Sequence, residues 1–451
     1  MVTRWSVEKL LSFHSAIPNF LEGKATPRGY LERCLETIEA REHEVKAFVT
    51  LNIDGARAAA DASTDRYRKG SPFSLVDGCP IGVKDIIETF DMPTQMNNDL
   101  YKGWRSNRDA ACVHALREGG AIIVGKTVTT EFAFGRSGPT RNPHDLERTP
   151  GGSSSGSAAS VGAGMLPVSL GTQTNGSAIR PASYNGIFAL KASLGALSIA
   201  GIHPLSATLD HLAVLAGSLE DTWRVSHFIS DAAGSPGQPG LMEGPKLPAE
   251  KKPRRFVRLY TMGWEELDEE TVAGFENFVS RLESDGVEVL SREENPKVAE
   301  LEKYLDDYVE EVLDILAYEM RWPMSEYLRH HEDMMGPRIH EFVKRSSEIS
   351  QESFRALLER RAEAQERVMN WQAEVDGFLT LSSSGPAIVN HEFTGSRTFL
   401  LYWSWLGFPS FNLPLLTSGG LPIGVQLMGF RNEDHGLAAF ANWICTRFFS
   451  N

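Results

Sequence analysis

Two glycine-flanked serine turns and a lysine in an apolar run are the residues of this chain best suited to acyl chemistry. The serines lie in Gly151-Gly152-Ser153-Ser154-Ser155-Gly156-Ser157 and in Gly171-Thr172-Gln173-Thr174-Asn175-Gly176-Ser177. The lysine is Lys84, in Ile81-Gly82-Val83-Lys84-Asp85-Ile86-Ile87. A serine hydroxyl is a poor nucleophile until a base takes its proton. Burial disfavours the charged form of a lysine and so makes it such a base. A second serine can pass the proton between them, and glycine-rich backbone beside the nucleophile can offer N–H groups to a developing oxyanion.

Other chemistries fit these residues less well. Residues 152–156 match GxSxG, but a nucleophile elbow needs a buried strand directly before it, and Asp-Leu-Glu-Arg-Thr-Pro is not one. A phosphate-binding loop would end in Gly-Lys-Ser/Thr or carry GxGxxG, and neither turn does. Lys126 and Lys191 also border apolar runs, without the Gly-Cys-Pro turn that leads to Lys84. Asp210-His211 is an isolated pair and reads as structural. His330, His331 and His340 lack HExxH or a comparable ligand spacing. Cys34, Cys79, Cys112 and Cys445 form no CxxC and read as buried free thiols.

These residues need a scaffold. Residues 165–170 (MLPVSL) read as a short buried strand leading into the second turn, so both turns belong to a folded core and not to a linker. Open α/β sheets place ligands at such strand ends. Helical periodicity runs over 6–20 and 26–48, with Thr26-Pro27 as a helix start, and an Ala-rich helix covers 51–69. If the run through Lys84 is a strand, Lys84 and Asp85 face opposite sides, and Asp85 need not neutralise Lys84. A helix at 109–118 followed by a strand at 121–125 suggests an α/β sheet. Further strands are expected at 209–216, 255–260, 287–290, 377–381, 411–416 and 424–428, with helices at 219–228 and 269–285. From about 298 to 372 the chain is charged, aromatic and poor in glycine, which reads as a helical subregion lying over the sheet.

The whole chain has 451 residues, 41% of them hydrophobic and 23% charged, an ordinary balance for a globular protein with a real core. A net charge of −14 argues against a sequence-independent grip on nucleic acid. With no run of about 18 apolar residues and no signal-peptide core, the expectation is a cytoplasmic protein without a membrane span.

The motifs then resemble a known family. DGCPIGVKDII around Lys84, TRNPHDLERTPGGSSSGSAA, GTQTNGSAIRPASYNG and GLPIGVQLMG are similar to those of the amidase signature family, in order and spacing. The family hydrolyses amides with a Ser–Ser–Lys triad. The resemblance implies one large α/β domain over residues 1–451, with a mixed β-sheet core covered by α-helices. Within it lie N-terminal helices (1–70), a signature core (71–230), the helical subregion and a C-terminal part of the sheet (373–451). It implies Ser177 as nucleophile, Ser153 as proton relay after a cis Gly152–Ser153 peptide, and Lys84 as base. The backbone N–H groups of Thr174, Asn175, Gly176 and Ser177 would form the oxyanion hole. Ser154 and Arg180 are the implied supporting and substrate-binding residues, with Arg180 either meeting a substrate carboxylate or pairing with a nearby acid in the wall.

The implied reaction is hydrolysis of a small-molecule carboxylic amide, with no metal or organic cofactor and a lean towards a homodimer. GTQT and the Ile-Arg-Pro after Ser177 are similar to the malonamidase type, which points to malonamate-like monoamides. Aryl-amide or carbamate hydrolysis, and service as the amidase subunit of an amidotransferase with a partner, are the alternatives. Many members have Asp-Thr-Gly-Gly-Ser where this chain has Gln173-Thr174-Asn175-Gly176-Ser177. Asparagine tolerates left-handed φ, so the turn can survive the change.

Overall fold

Eleven strands join in a single sheet in the computed structural model, which describes residues 5–235, 238–306 and 308–449. In chain order they are β1 (Phe48–Leu51), β2 (Pro80–Lys84), β3 (Ile122–Thr127), β4 (Val168–Gln173), β5 (Phe188–Lys191), β6 (His211–Ala216), β7 (Arg255–Arg258), β8 (Glu288–Leu290), β9 (Gly377–Leu381), β10 (Ser410–Ser418) and β11 (Leu421–Met428). Their spatial order is β1-β3-β2-β4-β6-β5-β10-β11-β9-β7-β8. The trios β3-β2-β4 and β9-β7-β8 are parallel inside, and the other pairings are antiparallel, so the sheet is mixed.

Strands β2, β3, β4 and β6 are buried at every position. A strand covered on both faces reads as a near-continuous apolar run, as β6 and the first half of β3 do, whereas β4 carries Ser169, Thr172 and Gln173. Helices Ile53–Arg68, Ser155–Gly162 and Leu219–Ala233 pack over these strands, with Pro27–Val45 against Ile53–Arg68 and Asp434–Phe449 against β10 and β11. Their starts carry local signals: Thr26 accepts from the Gly29 N–H ahead of Pro27, and Ser218 from that of Asp221. Helices Pro296–Asp306, Val309–Glu319, Arg321–His331, Pro337–Ser347 and Gln351–Met369 make the expected helical subregion. Among the described residues, no helix is long and apolar enough to cross a membrane.

Three segments differ from the sequence reading. Residues 6–20 are not one helix but short turns and the single helical turn Ile17–Leu21. The carboxylate of Asp221 takes the N–H groups of Phe13 and His14, at 2.9 and 2.8 Å, which removes them from any helical ladder. The helix expected to reach 48 ends at Val45, where Lys46 turns left-handed (φ 53°) and Glu42 accepts from Ala47 and Phe48. The chain then enters β1. Strand β4 starts later than expected and runs on to Gln173, because Gly171, Thr172 and Gln173 stay in register with Ala213, Leu212 and His211 of β6.

Candidate active site

Lys84 ends β2, one residue past the pairing of Val83 with Leu170 of β4 and Lys126 of β3. Its side chain is fully buried, with Nζ 2.7 Å from Ser153 Oγ and 2.7 Å from Thr172 Oγ1. Burial pushes its pKa well below the usual lysine value, and the charge of Asp210 only partly opposes this. Asp85 turns away to meet Lys126 at 3.1 Å, also fully buried. The third buried lysine, Lys191, donates to the Phe408 carbonyl and is brought down to about 7 by burial. Among the three, Lys84 is the one whose amine touches a serine.

The two turns are sewn together around that lysine. Gly152–Ser153 is a cis peptide. The Ser154 N–H donates to the Ser177 carbonyl at 3.1 Å. The Ser154 hydroxyl donates to the Thr172 carbonyl and accepts from the Thr172 N–H, at 3.1 and 3.2 Å. Ser154 is fully buried, so its hydroxyl is spent on holding strand to turn rather than on contacting a substrate. Gly176 takes φ 117°, open to glycine and strained for other residues. A Cβ there would also come within 2.5 Å of Leu400 Cδ1.

Gln173, a departure from many family members, has a structural part. Its Oε1 accepts from the N–H groups of Ala178 and Ile179 at 3.0 and 2.9 Å, and its Nε2 donates to Ser404 Oγ. It thereby caps the helix Ile179–Asn185 that follows Ser177. Thr174 Oγ1 donates to Asp210 at 2.6 Å. Asp210 also accepts from the N–H groups of Leu205 and Ser206, while His211 Nδ1 lies 2.7 Å from the Leu209 carbonyl. Of that pair, His211 Nε2 is left buried without a partner among the described residues. The N–H groups of Asn175, Gly176 and Ser177 donate to no other group among the described residues. Both polar atoms of the Asn175 side chain are buried and unpartnered as well.

Ser153, Ser177, Asn175 and Arg180 open on one cleft of roughly 530 Å³. Its far wall comes from the helices Val309–Glu319 and Pro337–Ser347 and from a loop at 392–398. Arg180 is buried, and burial lowers it to about 10. Its terminal nitrogens donate to the carbonyls of Gly152, Gly395 and Ser396 and to Thr394 Oγ1. Carbonyls, not an acid, are what it meets, and only its Nε is left without an acceptor. The sequence reading did not single out Thr172, Arg338 or Arg397, all close to this site. A strand continued to Gln173 would have put Thr172 level with the end of β2, but no spacing signal marks the two arginines.

Comparison with known proteins bears on the family and the fold. The family model described as Amidase matches residues 30–438. The A-type chain of a glutamyl-tRNA(Gln) amidotransferase from Chloroflexus aggregans is 38% identical over 214 residues, 46% of this chain and 44% of the relative. Its counterpart from an Anaeromyxobacter species is 41% identical over 206 residues, 44% of this chain and 42% of the relative. The chain thus spans less than half the length of the curated relatives it matches. A crystal structure of an amidase superposes with TM-score 0.84 at 26% identity, covering 97% of this chain and 100% of the other. At 23% identity, the fold alone is shared with a peptide amidase from Stenotrophomonas maltophilia (TM-score 0.78, 97% of each chain). With most of its length inside the family model and this fold around it, the chain belongs to the amidase signature family of hydrolases.

Proposed function

We propose that this protein hydrolyses the C–N bond of a small-molecule carboxylic amide through an acyl-enzyme on Ser177. The observation that carries the reading is the buried Lys84 amine, 2.7 Å from Ser153 Oγ, with both serines on the same cleft. Neutral Lys84 draws a proton through Ser153 from Ser177, whose oxygen attacks the carbonyl. The free N–H groups of Asn175, Gly176 and Ser177 receive the oxyanion, with Thr174 completing the turn. The proton returns to the leaving nitrogen, and water then cleaves the ester by the same relay. Ser154 holds the turns in register.

Within this chemistry, the likeness to the malonamidase type favours monoamides of short dicarboxylic acids, with aryl amides and carbamates as the neutral alternative. A fluorophosphonate should label Ser177 in the wild type, and Ser177→Ala should abolish both labelling and amide turnover while the protein keeps its melting temperature. Turnover by folded Ser177→Ala would refute the assignment.

The curated relatives named as amidotransferase subunits favour a second reading, in which the chain releases ammonia for a partner. Amide hydrolysis by the purified chain alone, at a rate that no added protein raises, would count against it.

A further inference from the structure

Nearly every buried or half-buried arginine of this protein has an acceptor. Arg66 meets Asp77 at 2.6 Å, Arg117 meets Asp91 at 2.8 Å, and Arg345 meets Asp314 at 2.6 Å. Arg361 donates to the carbonyls of Trp405 and Thr208. Arg141, Arg338 and Arg397 break the pattern, and the last two line the cleft that holds Ser153 and Ser177. Arg397 is only partly exposed, yet its guanidinium makes no hydrogen bond or ion pair with any described residue. Arg338, equally half-buried, has no acceptor either. It lies over the ring of Phe134, 4.4 Å from the centroid, with Phe342 on its flank. The three carboxylates of the same cleft, Glu310, Glu341 and Glu392, are all exposed, and Glu310 is already paired with Arg345.

A half-buried guanidinium with no protein acceptor keeps its donor fork free, and a cleft that holds two of them side by side is suited to an anion. Mutual repulsion is part of the arrangement. Burial, then the charges of Arg338 and Arg180, bring Arg397 down to about 9. Arg180 cannot easily serve as the fork for that anion, because its terminal nitrogens are occupied by the wall itself. The planar donor fork of a free arginine matches a carboxylate.

We propose that the amide accepted by this cleft carries a carboxylate, received by Arg397 with Arg338 beside it. This rests on the reading that Ser177 and Ser153 mark the reacting end of the cleft, and it assigns Arg180 to holding the wall.

The test is direct binding to folded Ser177→Ala protein, which turns nothing over. Malonamate, succinamate and glutaramate would each be titrated beside the matching neutral diamide. At least one acid should bind about tenfold or more tightly than its diamide, and the preference should shrink with added NaCl. Adding Arg397→Met should remove most of that preference while diamide binding reports that the cleft is formed. Should that variant not fold, Arg397→Lys and Arg338→Met carry the test, and each must narrow the preference. Equal affinity for every acid and its diamide, or a preference that survives loss of the guanidinium, would overturn the proposal. Failure of the underlying reading looks different: a fluorophosphonate would leave Ser177 unlabelled while the Arg397-dependent preference persists. Intact labelling with no acid preference would sink this inference alone.

Discussion

Lys84 spends its contacts on two hydroxyls, and a neutral amine can use both. It can donate one N–H to Thr172 and offer its lone pair to the hydroxyl of Ser153. On the proposed mechanism, activity should therefore rise with pH as the lysine loses its proton. The midpoint of that limb should lie below the roughly 10.4 of free lysine, because burial lowers the pKa. Lys84→Ala should lose orders of magnitude in kcat and the limb with it. Thr172→Val is the finer probe. A hydroxyl acceptor favours the ammonium form, so removing it should move the limb to lower pH while kcat falls. A pH–rate profile of Thr172→Val that overlays the wild type would exclude that tuning role. At this scale the sequence was informative where motifs are long: Lys84, Ser153 and Ser177 stand in distinctive strings. Thr172 was hidden because a strand that continues into a glycine-bearing turn has no local mark. Arg338 and Arg397 were hidden because only the folded chain shows which of 45 basic residues lack an acceptor.

Elements hold the cleft's far wall in place, and one of the fastenings is a single buried carboxylate. Glu131, 1% exposed, accepts from Asn98 Nδ2 at 2.8 Å, from the Gly336 N–H at 3.1 Å and from Arg136. Asn98 and Arg136 both go on to the Met334 carbonyl. This knot ties the loop after β3 to the start of the helix Pro337–Ser347, which presents Arg338 and Phe342 to the cleft. Glu131→Ala leaves the buried Gly336 N–H and the half-buried Asn98 amide without their acceptor and should cost roughly 1–3 kcal/mol of stability. Because the damage falls on the wall, KM should rise more than kcat falls, and limited proteolysis should reach residues 320–350 sooner. Unchanged KM in a destabilised variant would separate the knot from substrate binding. The same scale shows what periodicity could give. Apolar runs such as 121–125 identified fully buried strands, and the glycine-poor stretch after 298 read as a helical subregion. β1 was missed because Glu42 ends the preceding helix through a side chain, and residues 6–20 were misread because the partner, Asp221, is some 200 positions away.

At the scale of the whole molecule, Lys191 pins distant parts of the chain together. It sits on β5, donates to the carbonyl of Phe408 just before β10, and lies near Asp434 at the start of the last helix. Asp434 in turn accepts from the N–H and hydroxyl of Ser193, at 2.8 and 2.6 Å. Folded Lys191 titrates at about 7, and the unfolded chain near the roughly 10.4 of free lysine. Between those values the unfolded state holds more protons, so stability from this group is gained as pH rises and lost as pH falls through 7. Urea unfolding of wild type and Lys191→Met at pH 6 to 10 should show their difference shifting in favour of the wild type with rising pH, by up to a few kcal/mol. A difference flat in pH would mean that the lysine keeps its proton in the fold. The bonds that join the two serine turns raise a separate matter. They run from Ser154 to Ser177 and Thr172, and Gln173 extends them to Ala178, Ile179 and Ser404. None of them passes through the helices between 296 and 369, which supply much of the opposite wall. On the proposed mechanism, the reacting groups are thus anchored independently of the surface that would select what reaches them. Such a wall can be rewritten, loop by loop and helix by helix, without cutting any bond that joins the two serine turns.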